Sequence, residues 1–116
     1  MSLSMLQVSA CHALIKSVDV AVKCDNQQLQ LRFSRSISVK QIEIISNDKK
    51  VVFLNAWVLK PKSNNILYLH VHDIKYQVDT HLPLQVNADY VVSVRASGYM
   101  GFAAFRAVKE CALTYD

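Results

Sequence analysis

The chain has 116 residues, 52% hydrophobic and 19% charged, enough to close one buried core and too apolar for a disordered tail. Its formal charge is +4, from 13 Lys and Arg against 9 Asp and Glu. Lys49-Lys50 is the only adjacent basic pair, so the basic stripe of a nucleic-acid binder is missing, and no apolar run approaches the roughly 20 residues of a transmembrane helix.

Along the chain, Leu3, Leu6, Ala10 and Ala13 have the spacing of a short helix, and residues 1–16 read as an N-terminal segment, helix or strand, ahead of a single domain at 17–116. From Val18 onward the pattern is alternation. Val18, Val20, Val22 and Cys24 share one face of a strand, Asp25-Asn26 turns the chain, and Leu29, Leu31 and Phe33 share the face of the next, a β-hairpin. A further strand carries Ile37 and Val39, then Ile42 and Ile44. The apolar phase slips by one at Lys40-Gln41, which predicts a bulge.

Ser46-Asn47-Asp48 is a turn. Residues 51–59 are apolar on both alternations and predict a strand covered on both faces, with Trp57 as a core anchor. After a loop from Lys60 to Asn65, Leu67, Leu69 and Val71 face one way and Tyr68, His70 and His72 the other. Ile74, Tyr76 and Val78 continue or restart the strand, and residues 79–87 form a crossing loop. Tyr90, Val92 and Val94 mark a strand ending near Ser97-Gly98. The stretch from Met100 to Tyr115 reads as a strand interrupted near Lys109-Glu110, with Tyr99 to Phe102 as an end loop. Strands this short and this closely spaced, without intervening helices, predict an all-β fold: a two-sheet antiparallel sandwich of about 7–9 strands.

The segment from Leu84 to Ala96 resembles the E–F corner and F strand of fibronectin type III domains. Leu84 stands six residues before Tyr90, and Val92, Val94 and Ala96 continue the family's Tyr-x-Val-x-Val-x-Ala pattern. The resemblance implies an immunoglobulin-like sandwich in which the Tyr90 hydroxyl bonds upstream backbone, making Leu84 and Tyr90 structural, as Trp57 is by its place in the apolar run. It departs from the family in lacking the early Trp and in placing Asn87-Ala88 where Pro-Gly is usual. Members of such families mostly bind other macromolecules, so the resemblance implies no catalytic residues.

Val8-Ser9-Ala10-Cys11 resembles the lipobox of bacterial lipoproteins, which implies a periplasmic or cell-envelope setting; the alternative is an ordinary apolar segment. Of three cysteines, Cys24 and Cys111 are placed to pair across a sheet or between sheets, the alternative being three reduced thiols in the core.

Sites of chemistry are sparse. There is no Gly-x-Ser-x-Gly, phosphate loop or dinucleotide fingerprint, the carboxylates are isolated, and Cys11-His12 are sequence neighbours that tend to diverge. The expectation is a non-enzymatic interaction or structural module without a cofactor, contacting a protein partner or its own copies, and with no nucleic acid. Its candidate surface is Tyr68, His70, His72, Tyr99, Met100 and Phe102. The alternative is a small Zn- or Cu-binding protein: on a strand His70 and His72 would project from one face roughly 7 Å apart, with His12, His81, Asp73 or a thiolate as third ligand.

Overall fold

The alternating apolar residues form strands because period-2 burial satisfies a pleated backbone on one face at a time. The structure, a computed structural model, describes residues 15–25, 27–76 and 83–111. It contains β1 (Lys16–Ser17), β2 (Val20–Asp25), β3 (Gln28–Ser46), β4 (Val52–Val58), β5 (Ser63–Tyr68), β6 (Ile74–Tyr76), β7 (Asp89–Ala96) and β8 (Tyr99–Arg106). A single 3-10 turn, Val71–Asp73, precedes β6. The fold is all-β, and the eight strands among the described residues fall within the expected number. The lipobox-like segment with Cys11 and His12, and also His81, lie outside the described residues.

One strand organises the rest. The two strands expected around Phe33 and Ile37 are one 19-residue strand, β3, because Ser34, Arg35 and Ser36 stay extended and exposed rather than turning. Along its first half β3 pairs antiparallel with β2 and β5. Along its second half it pairs antiparallel with β4 and β7. The ladder then continues from β4 to β6 and from β7 to β8. The pairing is mixed rather than wholly antiparallel, since β1 lies parallel to β8, Lys16 opposite Tyr99.

The change of partners is made by two irregularities. Against β5 the register jumps between Arg32 and Ile37. Against β7, Val39 faces Ala96 and Gln41 faces Arg95, leaving Lys40 as the extra residue. That is the bulge the phase slip predicted, and it lets Phe33, Ile37 and Val39 share one core with Ile42 and Ile44.

Leu29, Leu31, Ile42, Ile44, Leu54, Val92 and Val94 are wholly buried in that core. Gly101 joins it from β8 for a steric reason. A Cβ there would lie 2.5 Å from the Val18 carbonyl oxygen and 2.6 Å from Val20 Cγ2, so only glycine lets the β1–β2 segment cross β8 at this height.

Candidate functional site

Two surfaces gather the residues with binding chemistry. The first is the outer face of the β6-β4-β3-β7-β8 ladder, and the register fixes what it shows. Trp57 lies between Lys75 and Gln41, Gln41 faces Arg95, and Arg95 faces Met100. In the next row Asn55, Glu43, Ser93 and Phe102 are aligned, followed by Ile45, Val91 and Ala104. Phe102 is 76% exposed, Met100 45% and Trp57 38%.

Trp57 is therefore not the core anchor the sequence suggested. β4 buries Leu54 and Ala56 on its inner face, and a strand's period of two sends Trp57 outward. Met100 and Phe102 are likewise residues of a paired strand, not of an end loop. Tyr99 points the opposite way, packed against the core, its hydroxyl accepting a hydrogen bond from Arg35 Nη1 at 2.9 Å.

The second surface is a groove of about 440 Å³. It opens where β3 exchanges β5 for β4. Buried Phe33, Ile37 and Val39 of β3 form its floor, Val58 and Leu67 line it beside them, and the β4–β5 loop adds Lys60 and Lys62. A backbone hydrogen bond from Leu59 N–H to the Asp73 carbonyl, 2.9 Å, ties this loop to the 3-10 turn across the mouth.

Tyr68, His70 and His72 line the same groove, but not as a strand face. β5 ends at Tyr68, and the chain turns as Asp73 N–H bonds the His70 carbonyl at 3.1 Å. His72 thus sits in the 3-10 turn, while His70 Nε2 lies 3.4 Å from Gln28 Nε2. The strand expected to carry both imidazoles on one face therefore does not extend through His70 and His72. Among the described residues no group of three or more His, Cys, Asp or Glu side chains converges as metal ligands would.

The end of the molecule away from the groove mouth is cross-braced. The Tyr90 hydroxyl accepts a hydrogen bond from Gln85 N–H at 2.8 Å, and the Tyr90 ring stands edge-on to Phe53 at 4.9 Å and beside Phe105 at 5.6 Å. Asn87 takes φ 66° in this corner, a left-handed conformation that Asn tolerates better than most residues. Leu84 N–H bonds the Cys111 carbonyl and Asn87 N–H the Ala107 carbonyl, at 2.9 and 2.7 Å. Cys111 is joined to Cys24 by a disulfide, with Cα atoms 5.6 Å apart. Beside the corner, Arg106 clamps Asp89 through two hydrogen bonds, 2.9 and 3.1 Å. These hold the Asp89 carboxyl below the usual carboxylate range.

No family model matches the chain. No curated protein matches it either. Both surfaces escaped the sequence in part: Trp57 and Phe102 became a surface only through cross-strand register. The groove depends on β3 changing partners, which no local pattern signals. No helix among the described residues is long and apolar enough to cross a membrane.

Proposed function

We propose that the chain is a non-enzymatic protein-interaction module, an immunoglobulin-like β-sandwich whose contact surface is the outer face of the β6-β4-β3-β7-β8 ladder. One observation carries this reading: Phe102, Met100 and Trp57 stand exposed on one face, in adjacent cross-strand rows. Large aromatic and Met side chains at a solvent-facing centre, with Arg and acidic residues around them, have the anatomy of a protein contact.

The charges on this face support a second copy of this chain as the partner. Lys75 and Arg95 lie in the Trp57 row, and Glu43 lies in the row beside it. A two-fold copy laid antiparallel brings each basic row towards the other's Glu43, while Phe102 meets apolar surface. The two-layer sandwich is supported by the bonded Tyr90 corner and by the single core shared by both halves of β3. The Cys24–Cys111 disulfide suits an oxidising compartment such as the cell envelope.

Sedimentation velocity across a concentration series tests the proposal. Wild-type protein is expected to shift reversibly to a dimer, and Phe102→Glu to stay monomeric with unchanged melting temperature. A wild type that remains monomeric up to its solubility limit overturns the second-copy reading, and dimerisation undisturbed by Phe102→Glu removes this face as the contact.

A further inference from the structure

The groove beneath Lys60 and Lys62 has a chemistry of its own, independent of the aromatic face. Its floor is apolar and rigid: Ile37 is 2% and Val39 4% exposed, both held in the 19-residue β3. Its volume, about 440 Å³, falls within the usual size of small-molecule sites, roughly 300–1,000 Å³. Apolar side chains also stand open at the mouth, where Leu59 is 55% and Tyr68 43% exposed. The Leu59–Asp73 backbone bond fixes the β4–β5 loop against the 3-10 turn.

The polar groups are confined to the rim and are unbalanced in sign. Lys60, Lys62, His70 and His72 are among the lining residues, with Asp73 as the one carboxylate. Neither lysine is in an ion pair among the described residues. An apolar slot under a pair of ammonium groups is complementary to a molecule with a short hydrocarbon tail and a single acidic head.

We propose that this groove binds a medium-chain carboxylate, its tail against the accessible apolar lining of Val58, Leu59, Leu67 and Tyr68 over the buried Ile37 and Val39, and its carboxylate at Lys60 and Lys62. The tail exchanges water for a surface that is already formed, so binding requires little reordering of the protein. The head stays at the half-solvated rim, where long lysine side chains reach it without burying their own charge.

The test uses 1-anilinonaphthalene-8-sulfonate, itself an apolar body with an anionic group, as a fluorescent probe on the whole chain. Decanoate below its micelle concentration is expected to displace the probe with one-to-one stoichiometry. Decyltrimethylammonium, with the same tail and opposite charge, is expected not to displace it. Lys60→Glu combined with Lys62→Glu should weaken decanoate by about tenfold or more, the loss of two charge-assisted contacts at an open rim. Both substitutions lie on an exposed loop, and an unchanged melting temperature shows that folding is intact. As a second variant, Leu67→Trp fills the slot and should abolish displacement while leaving the rim charges in place.

Equal displacement by both amphiphiles, a stoichiometry well above one, or wild-type affinity in the double lysine variant each overturns the proposal. Displacement by a short peptide with an apolar C-terminal residue, but not by decanoate, overturns it in favour of a polypeptide terminus. Phe102→Glu should leave decanoate binding unchanged, so failure here is distinguishable from failure of the dimer.

Discussion

The Tyr90 hydroxyl takes the Gln85 backbone N–H at 2.8 Å, and this contact fixes how the chain enters β7 from the crossing loop. Tyr90 is only 1% exposed, so the hydroxyl reaches the Gln85 N–H from the buried side. Tyr90→Phe keeps the ring contacts with Phe53 and Phe105 but leaves the Gln85 N–H without its acceptor. The expected loss is about 1–2 kcal/mol, read as a lower urea midpoint at unchanged slope. A variant as stable as wild type would show that the corner is held by its rings alone.

The Cys24–Cys111 disulfide spans 87 residues of sequence. Loops of that length gain most from cross-linking in the chain-entropy account. Cys24→Ala with Cys111→Ala should lower stability by about 2–4 kcal/mol, and reductant should lower the wild type by a similar amount while sparing the double variant. Reductant that leaves the wild-type melt unmoved would deny the bond a stabilising role.

Gly101→Ala is the sharpest steric test. The added methyl would meet Val18 backbone, not the end of a flexible side chain. Relief requires β1 to move off β8, at a cost of about 1–3 kcal/mol typical of overpacking. Hydrogen exchange should show the loss first at Lys16 and Val18, whose N–H groups bond the carbonyls of Gly98, in the turn before β8, and of Met100 on β8. Wild-type protection at those two amides would contradict the account.

Two carboxylates give the stability a defined acid side. Asp48 is held below its ordinary range by the Ser46 hydroxyl and the Lys50 N–H. Asp89 is lowered by the Arg106 hydrogen bonds and charge. Each therefore binds its proton more weakly in the folded than in the unfolded chain. Their stabilisation is present above about pH 4 and is lost as pH falls through the lowered folded values. Both groups are exposed, so the contribution is small. The melting temperature should fall on acidification below about pH 4, and less steeply in Asp48→Asn with Asp89→Asn. Parallel curves for the two proteins would assign the acid loss elsewhere.

Much of this fold is legible in the sequence where the cause is local. The hairpin of β2 and β3 and the bulge at Lys40 follow from period-2 alternation, because a slip of one residue sends every later side chain to the wrong face. The corner hydrogen bond follows from the Leu84–Tyr90 spacing. Trp57 was misplaced because residues 51–59 are apolar in both phases, and hydrophobicity then cannot choose the buried one. The strand through His70 and His72 ended early because a backbone turn at His70–Asp73 broke an alternation that the side chains would have allowed. The need for Gly101 lies in Val18, far away in the chain, and the groove lies in a partner exchange along β3. Such non-local causes leave no trace in a short window of residues.

The covalent link between Cys24 and Cys111 also sets how tension would travel. Strands β3 to β8 lie inside the loop that the bond closes, whereas β1 and nearly all of β2 lie outside it, ahead of Cys24. A pull along the chain would load the β1–β8 and β2–β3 pairings first and would then pass through the covalent link, sparing the backbone of β3 to β8. Reduction would remove this shunt and pass the force on through β3, β8 and the corner at Tyr90. An oxidised molecule therefore behaves as a stiff node in a stretched chain, and a reduced one as an extensible spring.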